Sequence, residues 1–198
     1  MGPWQSGNGK CSYALGDPNT IKGTNSCVLG DNNAVNGPNA AGNGDNVQVV
    51  GSNNTVASTS NAAGSSVLGN GNTVNATNAI AVGNGITLTG TSAVAIGFGS
   101  SATAANSVAL GSGSVANAAN TLSVGAVGSE RRIVNVADRA IATGSTDAIT
   151  GGQLMTAHQP LPSPFGGGAR LGVHRQLPAR ARPHPGHAHA TLPPPIGP

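Results

Sequence analysis

The chain has 198 residues, of which 31 are Gly and only four are aromatic, and 8% of it is charged. Such a composition leaves an ordinary globular core short of large side chains, while few charges among many Asn, Ser, Thr and Gly is unlike charge-driven disorder. The net charge of +3 comes from beyond residue 154, because residues 1–154 hold two Lys and three Arg against all six acids, so this part lacks the basic, aromatic-studded face of a nucleic-acid binder.

From the N-terminus, residues 1–10 read as a leader without the apolar core of a signal peptide. No stretch approaches the roughly 18 consecutive apolar residues of a membrane helix. The chain is therefore expected to be soluble and unable to export itself; in a secreted protein it would be an internal piece.

From residue 11 onward, an aliphatic residue followed by glycine recurs: Leu15-Gly16, Leu29-Gly30, Val50-Gly51, Leu68-Gly69, Val82-Gly83, Ile96-Gly97, Leu110-Gly111 and Val124-Gly125. The glycine spacings are 14, 21, 18, 14, 14, 14 and 14 residues, a period that signals a solenoid. Strand alternation places the first and third positions before each glycine on one face. The expectation is that this face fills the coil, with Leu15, Leu29, Val50, Leu68, Val82, Ile96, Val108, Leu110 and Val124 as the repeat core. The small residues between them, such as Ala95 and Ala109, then face a covering neighbour. A second apolar position follows five residues after the glycine, as Ile21, Val35, Val56, Val74 and Leu88, weakening to Ala102 and Ala116. Each unit is thus two short strands joined by Asn- and Gly-rich turns that tolerate positive φ.

A 14-residue coil has a perimeter of about 46 Å, too tight for a large core. One or two aliphatics per strand, at about 1.5–3 kcal/mol each, must offset about 1–2 kcal/mol of backbone entropy per residue. An isolated column is marginal, which predicts an obligate homo-oligomer. The extra residues between Gly30 and Gly69 are expected to protrude as loops, making 31–64 a candidate specificity region.

Cys11 and Cys27 stand five and three residues before their glycines, so adjacent coils offset them by two positions, about 8 Å between Cα atoms. That exceeds disulfide reach, and free thiols are expected. Asp17 and Asp31, each following a glycine, should stack as solvated like charges at a turn. Gly42-Asn43-Gly44-Asp45 is too isolated to be a calcium-binding roll, which needs tandem copies.

After Gly125 the charge density rises. Residues 128–154 read as a connector, with Ser145 or Thr146 as a candidate helix N-cap and Asp147 favourable in the first turn. Arg131, Arg132, Asp138 and Asp147 are candidates for salt bridges between protomers, worth only about 0–1 kcal/mol each if exposed. Residues 155–198 hold ten of the 13 prolines and all five histidines. This tail is expected to be disordered, either a Pro-rich linker or the product of reading out of frame beyond Leu154. His184, His187 and His189 lack a scaffold for a designed metal site. With every histidine in the tail, no Ser-His-Asp or Cys-His arrangement can form in the repeats. No enzyme, cofactor or metal site is expected.

Asn106-Ser107-Val108-Ala109-Leu110-Gly111 resembles the head repeat of the trimeric autotransporter adhesins of Gram-negative bacteria, differing from Asn-Ser-Val-Ala-Ile-Gly only at Leu110; Asn25 to Gly30 and Asn78 to Gly83 are looser copies. Arg131-Arg132-Ile133-Val134-Asn135-Val136-Ala137-Asp138, continuing through Thr146 and Asp147 to Leu154, resembles the family's neck, although Arg139 stands where glycine is common. The resemblance covers residues 11–154 and implies an all-β, left-handed parallel β-roll head over 11–127. It further implies a homotrimer and a neck over 128–154, containing Arg131, Arg132, Val134, Asn135, Val136, Asp138 and Asp147. It also implies a cell-surface protein, anchored in the outer membrane through a C-terminal domain missing here, with a role in virulence. Its partners would be host cells or an extracellular matrix protein, collagen-like, fibronectin or laminin; the alternative is a structural spacer with no ligand. An ice-binding solenoid would need a flat Thr array, whereas Thr87-x-Thr89 is a lone instance. Hexapeptide acyltransferases would need a six-residue period.

Overall fold

The computed structural model of the chain describes residues 6–7, 10–35, 43–57 and 59–158. The chain divides into two compact units, Met1–Ile133 and Val134–Pro198. The expectations for the histidine-rich tail beyond residue 158 fall outside the described residues.

The first unit is a parallel solenoid. One sheet stacks β1 (Ser6–Gly7), β3 (Asn19–Ile21), β5 (Asn33–Val35), β7 (Thr55–Val56), β9 (Thr73–Val74), β11 (Thr87–Leu88), β13 (Ser101–Ala102) and β15 (Val115–Ala116). The other stacks β2 (Tyr13–Leu15), β4 (Cys27–Leu29), β6 (Gln48–Val50), β8 (Ser66–Leu68), β10 (Ile80–Val82), β12 (Val94–Ile96), β14 (Val108–Leu110) and β16 (Leu122–Ser123). Register follows the glycine period, as in Ile80↔Val94 and Val94↔Val108. It also holds through the irregular coils, where Leu29 pairs with Val50 and Val50 with Leu68.

Both irregular spacings resolve to one corner. A regular coil has residues 75–79 between β9 and β10; in the two long coils the sequence between β5 and β6 is 36–47 and that between β7 and β8 is 57–65. The extra length thus falls between strands, leaving both ladders unbroken. Residues 36–42, which belong to the longer insertion, are outside the described set. The described part of the second loop is tied to the next coil, with the Thr59 N–H donating to Asn75 Oδ1 at 3.1 Å and the Ser60 hydroxyl to the Asn75 carbonyl.

The interior corrects the sequence expectation. In the even-numbered sheet the middle residue points inward, so Val28, Val49, Val67, Ala81, Ala95 and Ala109 are buried. Leu15, Val50, Leu68, Ile96 and Leu110 are exposed, at 38–59% of their surface, and Leu29, Val82, Val108 and Val124 are only partly covered. None of these nine residues forms the coil core. The physical reason is room: the opposite sheet already directs two rows inward, at the third and fifth positions after each glycine. Ile21, Val35, Val56, Val74, Leu88, Ala102 and Ala116 fill the second of those rows and are all buried. Only a small side chain from the facing strand fits between such rows.

The other inward row is polar. Asn19, Asn33, Asn54 and Asn72, each three residues after its glycine, stack inside the coils at 1–2% exposure. Each Oδ1 accepts from the next coil: Asn19 Oδ1 takes the N–H and Nδ2 of Asn33 at 3.0 Å, and Asn54 repeats this with Asn72. Each Nδ2 also donates to a turn carbonyl, Asn54 to that of Gly69 at 2.8 Å. The amides are therefore satisfied in the interior, as buried polar groups must be. At Ile86 the ladder changes chemistry, with Asn72 Oδ1 accepting the Ile86 N–H at 2.9 Å. Ser100 and Ser114 then continue the row.

A second ladder lies four residues before the glycines, where Ser26, Ser65 and Ser107 are buried. Ser26 Oγ donates to the Gly44 carbonyl at 2.7 Å and accepts the Val47 N–H at 3.1 Å. One residue earlier, Asn25, Asn46, Asn78, Asn106 and Asn120 adopt φ of 54–58°. Asparagine tolerates this region better than other residues with a Cβ. The same slot in the first coil is Cys11, at φ 58°.

Among the described residues of the second unit there is one helix, α1 (Gly151–Ala157), with Thr150 as N-cap. The expected start at Ser145 or Thr146 is five or four residues early, because Thr150 and Gln153 form a capping box that satisfies the first-turn donors better than Ser145 can. The helix also runs through Met155 to Ala157, so the expected break after Leu154 falls inside it.

Candidate functional surfaces

Two faces of the solenoid present repeating side chains. On the even-numbered sheet the outward rows are Tyr13, Cys27, Gln48, Ser66, Ile80, Val94, Val108, Leu122 and, two residues along, Leu15, Leu29, Val50, Leu68, Val82, Ile96, Leu110. Eight strands at about 4.8 Å make this face about 34 Å long. Aliphatic rows this long on one face exceed the scattered exposure of a typical soluble monomer.

The opposite face is polar. Thr55, Thr73, Thr87 and Ser101 stand in register on successive coils, flanked by Thr20 and Ala34 on one side and Val115 on the other. Two residues further along, Asn75, Thr89, Thr103 and Asn117 lie at the surface. Thr87-x-Thr89 thus has only Ser101-x-Thr103 and Thr73-x-Asn75 beside it, a mixed hydroxyl and amide face rather than a uniform Thr lattice.

At the glycine corner, the position following each glycine from Gly16 to Gly83 forms an exposed ladder that ends at Asn84. The N–H of Asp17 donates to Asp31 Oδ1 at 2.8 Å, that of Asp31 to Ser52 Oγ at 3.0 Å, and that of Ser52 to Asn70 Oδ1 at 2.8 Å. Asp31 therefore serves as an acceptor for the coil before it, in the role Ser and Asn fill further along. Of the repeat glycines, Gly16, Gly30, Gly51, Gly69, Gly83, Gly97 and Gly111 have φ between 108° and 139°, whereas Gly125 is not in this region. Both thiols are free, Cys11 exposed and Cys27 half-buried on the aliphatic face.

At the C-terminal end, Glu130 Oε1 accepts the Gly128 N–H at 2.9 Å. That bond, with one from its own backbone, holds the exposed carboxyl below its ordinary pKa. Arg131, one of the candidates for an interprotomer salt bridge, is bound into the last coil of its own chain, through Ser114 Oγ at 3.0 Å and the carbonyls of Val124 at 2.6 Å and Ser112.

In the second unit, Asp138 Oδ1 accepts from Thr150 Oγ1 at 2.8 Å, and Gln153 Nε2 donates to the Arg139 carbonyl. Arg139 sits 4.0 Å from Asp147, the one ion pair among the described residues. The departure from glycine at 139 therefore supplies an intrachain partner for Asp147. Ile133, at the end of the first unit, and Val134, Ile141, Ile149, Leu154 and Met155 in the second are at least half exposed.

Residues 60–85, 89–114 and 106–126 match the YadA head domain repeat (2 copies). A 42-residue stretch is 48% identical to the autotransporter adhesin BadA of Bartonella henselae, covering 21% of this chain and 1% of that protein. Among solved structures, the collagen-binding domain of the Yersinia adhesin YadA aligns with 68% of this chain and 83% of its own, at 22% identity and a TM-score of 0.36.

Proposed function

We propose that this chain, which carries the YadA-type head repeats of a bacterial surface adhesin, works as a rigid homotrimeric head that attaches the cell to a host surface or an extracellular matrix protein. The carrying observation is the two-faced solenoid, aliphatic along one sheet and polar along the other. Three copies that bury their aliphatic faces against each other leave three hydroxyl and amide faces, and three loop-bearing corners, pointing outward. The inward-facing Ala and Val of each coil make no part of that interface. Such a head presents one weak contact many times, so that affinity comes from multivalency rather than from a deep pocket. A collagen-like protein, fibronectin or laminin suits this geometry, being long and itself repetitive. On this reading the head stands outside the outer membrane, anchored through a C-terminal domain, and its role is binding without a chemical step.

The exposed aliphatics at the Val134–Pro198 unit's described end support a connector that is covered by copies of itself. Leu154 and Met155, at 59% and 66% exposure on α1, fit the start of a trimeric helical stalk.

Binding of purified trimer to immobilised collagens, fibronectin and laminin tests the reading. Saturable binding to at least one is expected, weakened when residues 57–65 are replaced by the five-residue corner of a regular coil. Saturable binding to none would favour a spacer that lengthens a fibre. The two thiols test the assembly independently. In the native protein Cys11 should react with a maleimide at the rate of an open thiol, while Cys27, on the aliphatic face, reacts at least about tenfold more slowly until the protein is unfolded. Equal native rates would remove that face from the interface.

A further inference from the structure

Along the solenoid the glycine corner of one coil offers acceptors to the next, two carbonyls and, in the coils that carry Asn19, Asn33, Asn54 and Asn72, a side-chain oxygen as well. The carbonyl before the glycine takes the next glycine's N–H, as Val82 takes that of Gly97. The carbonyl one residue after the glycine takes a turn N–H from the next coil, as Phe98 takes that of Gly113 at 2.8 Å. The side-chain oxygen three residues after it takes a backbone N–H, as Asn72 takes that of Ile86.

At the C-terminal end the carbonyls in these two roles are that of Ser112, one residue after Gly111, and that of Val124, before Gly125, and Ser114 Oγ stands at the third position after Gly111. No further coil follows, and a solenoid end of this kind is an unpaired strand edge open to addition by another chain. All three acceptors are taken by one side chain: Arg131 Nη1 donates to Ser114 Oγ at 3.0 Å and to the Val124 carbonyl at 2.6 Å, and Nη2 to the Ser112 carbonyl. The backbone that delivers it turns back through the Ala126–Ser129 bridge, with the Ser129 N–H donating to the Ala126 carbonyl at 2.8 Å.

We infer that the Arg131 guanidinium stands in for the missing coil and closes the C-terminal edge of the head, both fixing the last coil and denying its edge to a second head. The planar fork of arginine suits the task because it presents several donors in a fixed plane; an ammonium on a flexible stem lacks that geometry.

Hydrogen exchange and sedimentation of the full chain, with Arg131→Gln and Arg131→Lys, test this. In Arg131→Gln the amides of Val108, Ser114 and Val115, which are bonded within the last two coils, should exchange at least about tenfold faster. Amides of Ser66 and Ile80, several coils away, should stay as protected as in the unsubstituted protein, showing that the head is folded. Species larger than the parent assembly should appear as concentration rises. Arg131→Lys should fall between, and Ser114→Ala, which keeps the arginine but removes one acceptor, should raise last-coil exchange by a smaller factor. Unchanged exchange in Arg131→Gln and Ser114→Ala overturns the cap; faster exchange with no larger species overturns the closure of the edge.

Discussion

Leu68→Asp together with Ile96→Asp is expected to break the assembly while leaving the interior of every coil untouched. Both side chains point away from the coil, at 52% and 38% exposure, whereas the neighbouring inward residues Val67 and Ala95 are buried. Losing two exposed aliphatics per chain at about 1.5–3 kcal/mol each removes up to about 3–6 kcal/mol per chain, and an unpaired carboxylate buried in the remaining contact costs several more. Against a typical stability of about 5–15 kcal/mol per domain, a loss of that size on every chain is expected to separate them. Light scattering should report single-chain mass or unfolded material. The matched pair Thr73→Asp and Thr87→Asp, on the polar face, should leave the mass unchanged. A variant carrying both aspartates on the aliphatic face and still running as the parent assembly would place the contact elsewhere. So would an unsubstituted chain that dilutes to a folded, cooperatively melting monomer.

The same contrast shows what the sequence could and could not reveal. The glycine period sets coil length and strand position, and the irregular spacings needed no special treatment because Leu29, Val50 and Leu68 stay in register. Inside and outside were harder. Putting Leu15, Leu68 and Leu110 in the core follows from the rule that larger aliphatics are buried, a rule for a chain that folds alone. In a coil whose opposite strand sends two rows inward, the third row must be small, so the size order reverses and the larger residues face outward. The asparagine ladder was legible in principle. Asn19, Asn33, Asn54 and Asn72 keep their offset of three from Gly16, Gly30, Gly51 and Gly69 across spacings of 14, 21 and 18, which a turn residue under drift would not do. Arg131 carried no such signal: in sequence it is one of three charges in a row, and only the departure of the chain from the roll brings it over Ser112 and Ser114.

Gly69→Ala should unfold several coils, and Gly71→Asn, two residues away, should be close to neutral. Gly69 has φ 130°, and a Cβ there would lie 1.9 Å from the Gly83 carbonyl oxygen. That oxygen accepts Asn72 Nδ2 at 2.9 Å, so it cannot retreat without opening the buried amide ladder. A strained dihedral costs about 1–3 kcal/mol and forced overpacking about 1–3 kcal/mol more, giving roughly 2–6 kcal/mol per chain, multiplied by the number of chains in the assembly. Gly71 differs in kind. Its φ is 64° and nothing lies within 4 Å of a Cβ built on it, and the same slot in two earlier coils is already asparagine, Asn32 at φ 55° and Asn53 at φ 60°. Urea melts of the two variants should therefore separate widely, with Gly69→Ala far less stable and Gly71→Asn within about 1 kcal/mol of the parent. If both are equally harmful, the stacking of glycine on glycine between coils is not what limits that corner; if both are tolerated, the coils are further apart than the ladder distances allow.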